Sequence, residues 1–346
     1  QAYVNHKSPS TALRLTGEDN NRLKQLVLSM AEEQCASLED DLRETTLVSL
    51  KKLAVGSNGD EIICLARNFY DSLMSPSHKL SEEFMAKLGL ANLYGWLAYT
   101  IYDDFLDGEG KPELISTANV SMRRSLENFV GALPENESFA AFVHHTFDAI
   151  DGANAWEVAR CRFKLGSAKL QTGRLPDYGN LEKLADRSLG HALAPMAVLA
   201  AAGQGLDTDE AQKMFRTLRH YLIARQLNDD AHDWEEDLRA GRVTPAVVMV
   251  LKKIGVRPGK RDITELISTG RHHFWHVVLP EICELMRSHV RLSREALKSS
   301  ALVKKDGIMD ELLDGIEASA SSALNQQKQA EDFLKHYRQS TKKHKN

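Results

Sequence analysis

The sequence predicts an all-α protein, and three observations predict it. Apolar residues recur at helical spacing along nearly the whole chain, with no sustained strand-type alternation between Asn-Gly or Asp-Gly turns. Proline is scarce, 9 in 346 residues, while Ala, Leu, Glu, Lys and Arg are abundant and favour long helices. The breaks are short turn signals rather than Gly/Ser-rich linkers, and no repeat period is visible, so one large domain is expected.

In chain order, helices are expected over 18–38 and 40–54, the second stopping at Ser57-Asn58-Gly59. A helix over 59–75 ends at Ser75-Pro76-Ser77, and one over 80–107 ends where Gly108 to Pro112 begins. Helix 112–131 closes before Leu133-Pro134, and 136–171 before the turn run Gly173 to Gly179. Helix 180–203 ends at Gly203, and 207–238, 242–254, 261–298 (after Arg257-Pro258-Gly259) and 306–337 complete the set. The expected division is an N-terminal extension over 1–17, a helical domain over 18–337 and a basic tail over 338–346.

Charge narrows the function. Forty-four Lys and Arg against 48 Asp and Glu leave a formal net charge of -4, so no overall field draws the protein to nucleic acid or an anionic membrane. Any charge-based function must be local. Cys35, Cys64, Cys161 and Cys283 are widely separated and form no CxxC pair, which argues against a disulfide scaffold or zinc knuckle. The longest apolar run, Ala192 to Ala202, contains Pro195 and is too short to cross a bilayer. A cytoplasmic chain with no integral membrane segment is expected; it begins at Gln1 rather than Met, which is compatible with a removed leader, tag or upstream domain.

Two acidic clusters carry the chemistry. In Trp96-Leu-Ala-Tyr99-Thr-Ile-Tyr-Asp103-Asp104-Phe-Leu-Asp107 an apolar helix ends in three aspartates. On a 3.6-residue period Asp103 and Asp107 share a face that runs back through Tyr99 and Trp96, so an apolar wall leads to a carboxylate rim. In the second cluster Asp229, Asp233 and Asp237 fall at i, i+4 and i+8, with Asp230 one position round. Like charges so close repel and call for a cation, and carboxylate oxygens suit Mg²⁺, which takes one or two carboxylates and completes its shell with water and phosphate oxygens. Each cluster has an Asp-Asp-x-x-Asp pattern, at 103, 104, 107 and at 229, 230, 233. One such run is usually a solvated helix end; two, each following an apolar helix, are more specific.

This pair resembles the class I isoprenoid synthase superfamily of trans-prenyltransferases and class I terpene synthases. The resemblance covers about 18 to 320 and implies a helical bundle with a central apolar cavity. It also implies Mg²⁺, three ions by analogy, held by Asp103, Asp104, Asp107, Asp229, Asp233 and Asp237. Gln226, Asp229, Asp230 and Asp233 match the prenyltransferase form of the second motif, and Gly241-Arg242-Val243-Thr244 stands where that family has Gly-Lys-x-Thr. Arg242 is therefore a candidate diphosphate contact. Arg187, in Arg187-Ser188-Leu189-Gly190, resembles either a diphosphate-binding basic residue or the sensor arginine of terpene synthases. Trp96 and Tyr99 are candidates to face a carbocation.

The departures choose the expected reaction. Chain-elongating members bind isopentenyl diphosphate through a Gly-Gly-Lys-Arg segment before the first motif and an Arg-Arg-Gly after it. Here the corresponding stretches read Ser57-Asn58-Gly59-Asp60-Glu61 and Glu109-Gly110-Lys111-Pro112-Glu113. Gly259-Lys260-Arg261 comes in the wrong order to replace the first. The expectation is a terpene synthase-like enzyme that ionises one allylic prenyl diphosphate, with Asn228, His232 and Glu236 in the frame of its second motif. The alternative is a chain-elongating prenyltransferase with substitute anchors such as Lys51, Lys52 or Arg67, and a further one is a non-catalytic synthase subunit. A homodimer is expected by analogy only, and no nucleic-acid partner is expected. His272 and His276 have zinc-compatible i,i+4 spacing but lack an HExxH glutamate, and His144 and His145 are uninformative. Lys342, Lys343 and Lys345 read as a solvated tail rather than a substrate lid or membrane contact.

Overall fold

The computed structural model describes residues 17–74, 76, 79–166 and 169–343. The expected extension, except Gly17, and Lys345 lie outside the described residues, as does most of the Ser75-Pro76-Ser77 turn. Thirteen α-helices form among the described residues: α1 Gly17–Cys35, α2 Asp40–Ala54, α3 Gly59–Asp71, α4 Glu82–Leu106, α5 Ile115–Ala132, α6 Glu137–Arg160, α7 Glu182–Arg187, α8 Leu193–Ala201, α9 Asp209–Arg239, α10 Pro245–Lys253, α11 Ile263–His273, α12 Leu279–Ser299 and α13 Ile308–Lys343. The all-α expectation holds.

The chain divides into two compact units: one of the residues up to Asn154 with Asp186–Arg219 and Ser293–Leu312, the other of Ala155–Ala185, His220–Leu292 and the residues from Leu313 on. The boundaries fall inside α6, α7, α9, α12 and α13, so no linker in the sequence marks them.

In the first unit α4 is the hub, packed by α1, α2, α3, α5 and α8. Ser81 caps it by accepting the Phe84 N–H at 3.1 Å, and Leu88, Leu90, Leu93, Tyr94, Leu97 and Ile101 are buried around its circumference. A helix apolar all round belongs in a core, and each such side chain contributes about 1.5–3 kcal/mol by burial. α3 approaches so closely that a Cβ on Gly89 would stand 2.6 Å from the Ile63 carbonyl oxygen.

In the second unit a small antiparallel sheet departs from the expected helix 136–171. α6 stops at Arg160, and β1 (Lys164–Leu165) pairs with β2 (Lys169–Thr172), which pairs with β3 (Gly259–Asp262). Residues of β2 alternate exposed and buried, a period-2 pattern too short to outweigh the helix-forming Lys, Leu and Gln around it. β3 and a π turn over Phe274–Val278 likewise interrupt the expected helix 261–298. The expected helix 180–203 breaks into α7, a 3-10 turn at Leu189–Ala192 and α8. Restarting at Leu193 puts Pro195 in the first turn, where its missing N–H costs nothing; inside one long helix it would clash with a carbonyl.

Candidate functional site

The aspartates of the first cluster lie at the C-terminal end of α4, where Asp103 and Asp104 occupy the last turn and Asp107 is the C-cap. All three are exposed, and no basic residue stands in that turn. Helix dipoles favour cations at this end, so three carboxylates there oppose the intrinsic preference. Asp107 N–H donates to the Asp103 carbonyl (2.9 Å) and Glu109 N–H to that of Asp104 (2.8 Å); Gly108, at φ +78°, then turns the chain away.

Behind this rim the same unit holds an aromatic wall. Tyr99 stacks on Phe147 at 6.4 Å, meets Tyr102 edge-on at 6.1 Å and donates its hydroxyl to Asp151 at 3.1 Å. Burial and the Asp151 carboxylate push the Tyr99 phenol well above its ordinary pKa, so it stays a neutral donor. Trp96 meets His191 edge-on at 4.9 Å. Arg187 donates from Nε to the Asn154 side-chain oxygen at 3.3 Å, a contact absent from the sequence reading.

In the second unit the α9 aspartates separate by role. Asp229 and Asp233 are exposed, one turn apart. Desolvation raises both carboxyls above their ordinary value; Asp233 adds to the shift at Asp229 and Glu236 to that at Asp233, while Arg225, His232 and Arg242 oppose it. Asp230 and Asp237 are buried, at 4% and 6% exposure. Asp230 accepts a hydrogen bond from the Gln226 amide (2.9 Å). Asp237 takes Arg242 Nε on one oxygen (2.9 Å) and the Thr244 hydroxyl on the other (3.2 Å).

The loop after α9 is built for that last contact. Phe163 N–H donates to the Gly241 carbonyl (2.8 Å), Val243 N–H to that of Cys161 (2.7 Å), and the Tyr178 hydroxyl to that of Val243 (2.8 Å). Gly241 sits at φ +75°, and a Cβ there would stand 2.6 Å from the Phe163 carbonyl oxygen, so the junction needs glycine twice over. Buried Glu157 holds the facing strand through Arg162 at 3.1–3.2 Å.

Among the described residues, no group of three His, Cys, Asp or Glu side chains is arranged to hold a metal ion by itself. The donors that are present nonetheless fit Mg²⁺: Asp103 with Asp107, and Asp229 with Asp233, are exposed carboxylates one turn apart that repel each other, and a hard cation with water and phosphate oxygens would offset that. Asp237 is engaged by Arg242 and Thr244, so it serves first to seat Arg242.

No protein-family model matches the chain, and no curated protein sequence matches it. Solved structures do. A geranylgeranyl pyrophosphate synthase from Lactobacillus brevis superposes with a TM-score of 0.63 at 12% identity, over 89% of this chain and 96% of that one. A polyprenyl synthase from Caulobacter crescentus, complexed with calcium and isoprenyl diphosphate, gives 0.62 at 15% identity over 92% and 98%. Farnesyl diphosphate synthase from T. brucei gives 0.57 at 11% identity over 88% and 97%. The fold is that of the class I isoprenoid synthases.

The Asn228 side-chain oxygen already accepts the Ser319 hydroxyl at 2.7 Å, and His232 turns its Nδ1 back to the Asn228 carbonyl at 2.7 Å. Of the substitute anchors, Lys51 pairs with Glu32 at 2.7 Å and Arg67 with Asp71 at 3.2 Å, while Lys52 is exposed. His272 and His276 meet at a tilt of 54° with ring centroids 4.5 Å apart, and His276 bonds Glu331 at 3.2 Å, so they pack and pair within the helical surface. No helix of the described residues is long and apolar enough to cross a membrane.

Proposed function

We propose that this protein is a Mg²⁺-dependent class I isoprenoid diphosphate enzyme of the prenyltransferase kind, joining an allylic prenyl diphosphate to isopentenyl diphosphate. The observation that carries the reading is that each Asp-Asp-x-x-Asp run leaves exposed carboxylates one turn apart, Asp103 with Asp107 at the C-terminal end of α4 and Asp229 with Asp233 along α9, on this fold. The superposing structures are named as chain-elongating synthases, and the engagement of Asn228 by Ser319 weighs against the terpene-type motif expected from sequence.

In this reading Asp103, Asp104 and Asp107 would hold Mg²⁺ on α4, and Asp229 and Asp233 would hold Mg²⁺ on α9. The metal would supply charge neutralisation that makes the diphosphate a better leaving group. Asp237 seats Arg242, and Arg187, oriented by Asn154, adds positive charge where the departing diphosphate gains negative charge. Tyr99 and Trp96 offer ring faces to the cation left behind; such a contact is worth about 2 kcal/mol when desolvated.

A second reading, ionisation of one prenyl diphosphate without a co-substrate, is favoured by one observation: Lys51 and Arg67, proposed anchors for a second diphosphate, are already paired with acids. Incubation with Mg²⁺ and geranyl, farnesyl or geranylgeranyl diphosphate, with and without isopentenyl diphosphate, separates the two. Longer prenyl diphosphates formed only with isopentenyl diphosphate are the expected result. Diphosphate release without it would establish the second reading, and binding without turnover would leave a non-catalytic subunit.

A further inference from the structure

The three-stranded sheet of the second unit was no part of the sequence reading, and its outward face carries a charge pattern that the proposed chemistry does not use. The register sets Lys164 opposite Gln171, and Gln171 opposite Lys260. With strands about 4.8 Å apart, the two lysines stand about 10 Å from each other across the sheet. Lys169 lies two residues from Gln171 on β2 and shares its face. All four side chains are exposed, whereas Leu170 and Thr172, on the other face of β2, are buried at 0% and 2% exposure.

Arg174 and Arg257, in the segments flanking β2 and β3, and Arg261 within β3 are exposed as well. Among the described residues none of these six cations has a carboxylate partner; Arg261 donates only to the Arg257 carbonyl. The acid of the strands, Asp262, stands opposite Lys169 on this same face and caps α11 by accepting the Glu265 N–H at 3.0 Å. Leu165 and Arg261 are both opposed to Leu170 and so lie on the other face of the sheet. A protein of net charge -4 therefore sets three exposed lysines against one aspartate on one face, with Arg174 and Arg257 exposed beside it.

We propose that this sheet face docks on an anionic phospholipid surface. Charge complementarity selects an anionic partner. Phospholipid is favoured over nucleic acid because the three strands contain no aromatic side chain for base stacking. The proposal uses neither aspartate cluster and does not depend on the reaction proposed above.

The test is sedimentation of the full chain with vesicles of phosphatidylcholine alone or mixed with phosphatidylserine. The native chain should bind the mixed vesicles selectively, with binding falling as salt rises. The variant K164E/K169E/K260E should bind them at least about fivefold more weakly per lysine replaced. A charge-matched control, K52E/K298E/K305E, alters exposed lysines of the first unit and should bind nearly as the native chain does. Neutral K164Q/K169Q/K260Q, with helical circular dichroism recorded for each variant, covers the case in which the glutamates unfold the sheet. Equal loss in the sheet and control variants, no preference for phosphatidylserine, or sheet-dependent binding to RNA or an acidic peptide without binding to vesicles would overturn the proposal.

Discussion

The acidic ends of α4 and α9 look alike in sequence and differ in construction. At the α4 end Asp103, Asp104 and Asp107 are all exposed, and the last turn offers no basic residue. At the α9 end the aspartates alternate: Asp229 and Asp233 open to solvent, Asp230 and Asp237 turned into the protein and held by Gln226, Arg242 and Thr244. A shared Asp-Asp-x-x-Asp pattern therefore hides two designs, a rim exposed throughout and a rim in which two of the aspartates are buried and held.

The largest effect that would test this contrast is on turnover. Asp103→Ala and Asp229→Ala should each lower kcat by about 100-fold or more while leaving the helical circular dichroism intact, because both remove an exposed candidate metal ligand. A retained rate in either would remove that cluster from the site.

Next comes stability. Asp237→Ala leaves Arg242 without its buried partner and should cost about 2–4 kcal/mol in urea unfolding, whereas Asp107→Ala, at an exposed C-cap, should change stability by less than about 0.5 kcal/mol. Equal costs would mean that the two ends are built alike after all.

The smallest effect has the opposite sign. Asp233, though exposed, is partly desolvated and lies beside Glu236, so its charged form is disfavoured in the folded chain. Asp233→Asn should raise thermal stability slightly in the presence of a chelator, by a few tenths of a kcal/mol, and lose the stabilisation that added Mg²⁺ gives the native chain. A fall in stability with chelator present would show that Asp233 is held by favourable contacts, as Asp237 is.

Much of this was legible in the sequence, for identifiable reasons. α4 and α9 are long and periodic, so their spans and the positions of their aspartates could be read within two residues. The sheet could not, because β1 is two residues long and β2 pairs with β3 almost ninety residues away. The roles inside the second cluster were hidden for the same reason. The Ser319 hydroxyl that occupies Asn228 comes from α13, 91 positions on, and no local pattern announces it. The Gly241-Arg242-Val243-Thr244 segment was noticed through a resemblance, while its physical basis, a glycine in a left-handed turn against the Phe163 carbonyl, required coordinates.

The π turn between α11 and α12 has a consequence of its own for how this chain tolerates insertion and deletion. A wide turn accommodates one more residue than the α-helical path on either side of it. Deleting a single residue from Phe274–Val278 would let the two helices fuse into a regular rod and swivel whatever follows by about 100°. The widened turn thus acts as a slack link that sets the rotational phase of α12 independently of α11.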